Sequence, residues 1–154
     1  MRNTRHPVFI RATVKEKGRT MDMLIEIDFS SDEAIYHQLC SQIILGIATS
    51  RYTEGQVLPS VRQLADEIGI NMHTVNKAYS VLKQEGFVKV DRRKGAVIAV
   101  DSNRQRAIEA VRAKLSEAVA EALCRGLSRE ELHNLVDDVF DEYESWIAAA
   151  AEED

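Results

Sequence analysis

The sequence predicts a mainly α chain with one small β-hairpin, an α+β arrangement in which three short helices and the hairpin precede two long helices. Three observations predict it. Apolar residues recur every three or four positions in five separate stretches, the period of amphipathic helices. Gly69 falls between the second and third of these and leaves a connection of about three residues. Two short β-branched runs then flank the polar, basic segment Asp91-Arg92-Arg93-Lys94-Gly95, as strands flank a hairpin loop.

Taken in order, residues 1–22 show no periodicity and are expected to form a flexible basic arm, ending at 23 where the first patterned segment begins. Leu24-Ile25-Glu26-Ile27-Asp28-Phe29 alternates apolar and acidic residues, which suits a short extended segment. Ser30, Ser31 and Asp32 offer N-caps for a helix from Glu33 to about Ser50, with Tyr36, Leu39, Cys40, Ile43 and Ile47 on one face. Gly55 and Pro59 interrupt the chain beyond that helix. Ser60-Val61-Arg62-Gln63 is a capping box, opening a helix from Val61 to Ile68 that buries Leu64, Ala65 and Ile68. Gly69 ends that helix, and Asn71 caps the next one, which runs to Glu85 with Val75, Ala78, Tyr79 and Leu82 inward before Gly86 stops it. Phe87–Val90 and Ala96–Val100 read as the two strands of the hairpin. Two capped helices across a tight turn, followed by a basic hairpin, make a winged helix-turn-helix over 24–100.

Residues 101–154 form the second segment. A helix begins at Asp101 or Ser102 and reaches Cys124, with Ile108, Val111, Leu115, Val119, Ala122 and Leu123 along one side. Gly126 breaks it, and the capping box Ser128-Arg129-Glu130-Glu131 opens a last helix through Leu132, Leu135, Val136, Val139, Phe140, Tyr143, Trp146 and Ile147. The Ala-rich acidic end from Ala148 to Asp154 is expected to fray.

Composition narrows the function classes. With 154 residues, 45% hydrophobic and 29% charged, the chain has the balance of a globular protein with a real core rather than a disordered one. No apolar run approaches the roughly 20 residues that span a bilayer, and the first 20 residues lack the apolar core of a secretory signal, so a cytoplasmic protein without membrane contact is expected. Cys40 and Cys124 each sit inside an apolar helical pattern and read as free, small hydrophobes. His37 and Cys40 share ligand-like spacing, but two residues do not make a zinc site, so neither metal nor cofactor is expected. There is no phosphate-cradling glycine loop and no nucleophile elbow, which argues against an enzyme.

The net charge of −5 is unevenly spread: +5 over 1–20, −5 over 21–50, +3 over 51–100 and −8 over 101–154. A basic middle followed by an acidic end suits a nucleic-acid-reading domain joined to a segment that does not bind nucleic acid. In a helix-turn-helix the second helix enters the major groove while the first holds it against the backbone, so the residues at its start must be polar and outward-facing. Asn71, His73, Thr74, Asn76 and Lys77 fit that demand, with Met72 among them. Thr74 can donate to a phosphate, and Asn71 or Asn76 can pair with a base edge, adenine being the usual partner. Arg62 can clamp a phosphate or reach a guanine, or else pair with Asp66 one turn on. Arg92, Arg93, Lys94 and Gly95 form the wing tip, placed for the neighbouring minor groove or its phosphates. Taken singly, each of these features also describes a solvated turn or helix face; their conjunction in this order carries the reading.

The residues Ala34-Ile35-Tyr36-His37-Gln38-Leu39, Leu58-Pro59-Ser60-Val61-Arg62-Gln63-Leu64-Ala65, Asn71-Met72-His73-Thr74-Val75-Asn76-Lys77-Ala78-Tyr79, Leu82, Glu85-Gly86 and Lys94-Gly95 carry a specific resemblance. Over about 24–100 the chain resembles the DNA-binding domain of the GntR family of bacterial regulators, and within it the YtrA-like subfamily. The resemblance implies a homodimeric repressor on double-stranded operator DNA, with Arg62, the residues from Asn71 to Asn76, and Gly95 at positions that approach DNA. It also implies control of a transporter operon. Met72 stands where the family commonly has arginine, implying an altered base preference. Arg93 replaces the first glycine of the family's Gly-x-Gly wing, implying a changed tip backbone with extra charge toward phosphate.

Two helices of about 20 residues with long apolar stripes cannot bury both stripes against each other, and pairing with a second copy would. Leu115, Val119, Leu135, Val139, Phe140, Tyr143 and Trp146 are the expected dimerisation residues, the aromatics being typical interface anchors. Such a homodimer would read an inverted repeat, its two recognition helices about one DNA turn apart or a multiple of it. The segment is too short for a large ligand-binding domain, so any small-molecule effector must use a crevice between helices or at the dimer junction. The competing reading is a winged-helix adaptor that contacts proteins and binds no specific DNA.

Overall fold

The computed structural model describes residues 8–16 and 19–152. The chain divides into two units, Met1–Val100 and Asp101–Asp154. Within the first, the elements run β1 (Val8–Glu16), β2 (Arg19–Ile27), α1 (Ile35–Ala48), α2 (Val61–Ile68), α3 (Met72–Glu85), β3 (Val88–Asp91) and β4 (Gly95–Ile98). The second holds α4 (Arg104–Cys124) and α5 (Arg129–Glu152). This is the expected mainly helical architecture with its small hairpin.

The N-terminal region corrects the sequence reading. The arm expected over 1–23 contains instead an antiparallel hairpin, in which Val8 pairs with Ile27, Ile10 with Ile25 and Ala12 with Met23. The extended segment expected from Leu24 is the end of β2, and its period-2 pattern starts earlier: Met23, Ile25 and Ile27 are all fully buried in the core shared with α1. Basic residues scattered through 1–20 mask that alternation in the sequence. Residues 1–7 and 17–18 of the expected arm lie outside the described residues.

Passage from β2 into α1 also differs from expectation. None of Ser30, Ser31 and Asp32 caps the helix; Ala34 is the N-cap and has no side-chain oxygen to accept a capping bond. The short polar residues fold on themselves instead, the Asp28 carboxylate accepting from the Ser30 hydroxyl at 2.6 Å and the Ser30 amide at 2.8 Å. These bonds hold the Asp28 carboxyl below its ordinary pKa, the Ser30 hydroxyl contributing most. Buried Gln38 makes the splice. Its Oε1 accepts from the Asp28 amide at 2.8 Å, while its Nε2 donates to the carbonyls of Asp28 at 3.0 Å and Glu33 at 2.9 Å. A buried amide with both ends satisfied fixes a junction at little desolvation cost.

At its other end α1 stops when Ser50 takes a left-handed φ of 59°, and the chain turns back so that the Tyr52 amide donates to the Gly46 carbonyl at 3.0 Å. The Tyr52 ring, buried, then lies directly on Gly46, where an added methyl group would collide with three of its ring carbons. Gly46→Ala would raise stability by about 0.5–1 kcal/mol in an ordinary helix. Here overpacking is expected to reverse the sign and cost ~1–3 kcal/mol. Thermal unfolding by circular dichroism checks it; a raised midpoint would contradict the packing.

Helices α2 and α3 sit where the sequence puts them. Ser60 and Gln63 form the reciprocal capping box, and Gly69, at φ 75°, turns the chain into α3. The buried Tyr79 hydroxyl donates to the Pro59 carbonyl at 2.8 Å, tying α3 to the entry of α2. A bond of that kind contributes about 1 kcal/mol net and, more importantly, fixes the angle between the helices. Burial also pushes the Tyr79 phenol well above its ordinary range, so it stays a donor. After α3, β3 and β4 pair antiparallel, and the segment around Val57 adds a third line through the Val57–Val97 bridge and the bond from Leu58 N to Ala96 O at 2.8 Å.

In the second unit the α4 cap is Asn103, not Asp101 or Ser102, its side chain accepting from the Arg106 amide at 3.1 Å. The α5 helix continues to Glu152 through the stretch expected to fray from Ala148. Around the connecting turn Ala122 is buried and Val119, Leu127 and Leu132 are half-buried; the other residues from 104 to 149 are exposed.

Candidate nucleic-acid interface

The geometry of α3 follows from which of its residues the core takes. Val75, Ala78, Tyr79 and Leu82 are buried and lie on one side, whereas Met72, His73, Asn76, Lys77, Ser80, Lys83 and Gln84 are exposed. Since i, i+3 and i+4 share a helix face, His73, Lys77, Ser80 and Gln84 make one continuous outward strip. Met72 and Asn76 flank it on one side and half-buried Thr74 on the other. The start of α3 is tightly held: the Asn71 side-chain oxygen accepts from the His73 amide at 2.8 Å. That commits the oxygen of Asn71 to the cap, leaving Asn76 as the asparagine with both amide atoms available for a base edge.

Arg62 lies exposed in the first turn of α2. Among the described residues no carboxylate pairs with it, Asp66 included. Lys77 differs from the simple reading: its ammonium rests 3.8 Å from the centroid of the Tyr36 ring on α1.

The wing is a three-residue loop between paired Asp91 and Gly95. The Asp91 carboxylate accepts from the Arg93 amide at 2.7 Å and the Lys94 amide at 2.9 Å, closing the turn and leaving Arg92, Arg93 and Lys94 exposed. Gly95, at φ 85°, takes the left-handed conformation that completes it. Arg93 therefore needs no glycine-like backbone: one glycine and one aspartate make this turn. The two amide bonds, that to Arg93 first, hold the Asp91 pKa below its ordinary value. A depressed carboxyl stabilises the fold above its unfolded pKa and loses that contribution only as pH falls through the lower folded value, so the turn is closed at neutral pH.

Reasoning from the sequence missed Tyr36 and Asp91. Both have a signal in hindsight: Asp91 opens a polar loop as an Asx-turn residue, and Tyr36 precedes the buried Leu39 and Cys40 by three and four positions. The expected dimerisation residues lie on α4 and α5. Val119 is half-buried near the turn, while Leu115, Leu135, Val139, Phe140, Tyr143 and Trp146 are exposed, Phe140 to 62%. Tyr143 and Trp146 stack edge to face with centroids 5.4 Å apart. Among the described residues there is no group of three or more metal-ligating side chains, and no helix long and apolar enough to cross a membrane.

Helix α2 pinned across α3, a polar outward face on α3 and a basic hairpin behind it define a winged helix-turn-helix. The family model for bacterial regulatory proteins of the gntR type matches residues 32–98, from just before α1 to the end of β4. The chain is 29% identical to the HTH-type transcriptional repressor YtrA of Bacillus subtilis over 119 residues, 75% of this chain and 92% of that one. It is 31% identical to the HTH-type transcriptional regulator Rv1152 of Mycobacterium tuberculosis, over 70% of this chain and 86% of the relative. Among solved structures, YtrA from Sulfolobus acidocaldarius, a GntR-family transcription factor, aligns with a TM-score of 0.50 and 38% identity over 77% of this chain and 97% of that one. The chain belongs to the GntR family, among its YtrA-like members. It is a transcription regulator with a DNA-binding helix-turn-helix, in a family whose members are not enzymes.

Proposed function

We propose that the chain acts in the cytoplasm as a homodimeric repressor that binds an inverted-repeat operator in double-stranded DNA, controlling a transporter operon. The observation that carries the reading is the outward strip of α3, polar along its length while its opposite side is fully consumed by the core. A groove-entering helix needs that division. Arg62 and Thr74 take the phosphate contacts, Asn76 and His73 face the bases, and Arg92, Arg93 and Lys94 reach backbone beside the groove. The name of the B. subtilis relative supports the sign of regulation.

The partner subunit is a second copy. Within the second unit both helices leave large apolar side chains exposed, and among the described residues α4 and α5 are its only elements. Charge favours pairing α4 with a partner's α5. Helix α4 carries four Lys or Arg against three Glu, whereas α5 carries one Arg against eight Asp or Glu.

Selection from a randomised duplex pool by the full chain tests the proposal. The expected outcome is enrichment of an inverted repeat with half-sites about 10 base pairs apart, centre to centre, or a multiple of that. No enrichment at low ionic strength would overturn it in favour of a protein-contacting adaptor.

A further inference from the structure

Lys77 is placed in the middle of the outward strip of α3, four residues after His73 and three before Ser80. Its side chain does not trail freely there. The ammonium lies over the face of Tyr36, 3.8 Å from the ring centroid, and Tyr36 belongs to a different helix. That ring is itself fixed: it is half-buried against the hydrophobic core, and it meets the His37 ring edge to face at 6.2 Å and 87°. His37 in turn bonds the Glu33 carboxylate through Nδ1. An exposed lysine resting on a half-buried aromatic ring gives up rotamer freedom before any ligand arrives.

We infer that Tyr36 is a positioning residue for DNA binding: its ring holds the Lys77 ammonium on the side of the strip that faces α1, set for a backbone phosphate. The inference rests on the DNA-reading function proposed above. A phosphate is the fitting partner because an ammonium is a compact point charge, the form in which lysine binds phosphate oxygens. With one side on the ring, the nitrogen still has donors directed away from it. The contribution is preorganisation, since the cost of ordering a long side chain on binding is already met in the free protein. Tyr36 accordingly acts on affinity through Lys77 and leaves base preference alone.

The test is a double-mutant cycle read by fluorescence anisotropy over a salt series, with the duplex recovered by the selection as probe. Lys77→Gln is expected to lower the slope of log affinity against log salt by about one unit. Tyr36→Leu is expected to weaken binding roughly 3- to 10-fold at fixed salt, and Tyr36→Phe, which keeps the ring, to stay near wild type. In the Lys77→Gln background Tyr36→Leu should have no further effect. Equal weakening by Tyr36→Leu in both backgrounds would overturn the inference, because it would mean that Tyr36 acts through packing alone. A check that needs no folded variant is the proton spectrum of the free wild-type chain. The Lys77 ε-methylene should be shifted upfield by the Tyr36 ring current, and an unshifted resonance would also overturn it. Failure of the wild-type chain to bind any duplex is a separate outcome, and it overturns the regulator proposal together with this one.

Discussion

Placing glutamate at both Val139 and Phe140 of α5 is expected to convert the chain to a monomer and to weaken its hold on an inverted-repeat duplex roughly 100-fold or more. Both side chains are exposed in the single chain, Val139 to 48% and Phe140 to 62%, so the substitutions remove nothing from its own core. Glutamate is also a better helix former than valine or phenylalanine, so α5 itself should persist. What changes is the surface offered to a second copy. Two carboxylates would enter an apolar stripe beside Asp137, Asp138 and Asp141, and burying them unpaired against a partner costs several kcal/mol each. Affinity falls further than a local defect would explain because the two half-sites are then bound independently. Sedimentation velocity reads the first consequence and anisotropy the second. A variant that stays dimeric would place the subunit contact elsewhere.

Replacing both Arg62 and Thr74 with alanine should weaken operator binding strongly while leaving the dimer intact. Arg62 is exposed on α2 without a carboxylate partner among the described residues, and Thr74 is half-buried at the flank of the α3 strip. Neither belongs to the core cluster, so the thermal midpoint should move little. Each DNA contact of this kind contributes about 1–3 kcal/mol, and the pair together should cost roughly 100-fold in affinity. The salt slope should fall by about one unit for each phosphate that the variant no longer neutralises. An adaptor that does not read DNA would show neither change.

The sequence made the helix-turn-helix legible because its boundaries are set by local chemistry. A capping box at Ser60, a left-handed glycine at 69 and a side-chain cap at Asn71 act within a few residues of where they stand, and the observed ends of α2 and α3 coincide with them. The N-terminal hairpin was not legible because its apolar faces are interrupted by charge, and its core is completed only by α1 and α2, which follow it in the chain. For the same reason Ser30, Ser31 and Asp32 looked like caps: composition cannot tell a capping oxygen from one closing a turn around Asp28. At the site, residue type and helix phase sufficed to place His73, Asn76 and Lys77 on the outward side. They could not show that the Asn71 oxygen is spent on the cap, or that Lys77 rests on Tyr36, since the first depends on a rotamer and the second on how α1 crosses α3.

Operator recognition of the kind proposed requires the outward strip of α3 to lie in the major groove. Methylation interference on the selected duplex tests this directly, because dimethyl sulfate marks guanine N7 on the major-groove floor and adenine N3 in the minor groove. Methylation at N7 is expected to block binding in two patches about 10 base pairs apart, or a multiple of that, one in each half-site. Binding that tolerates every N7 methyl group, or that is sensitive only at adenine N3, would contradict it.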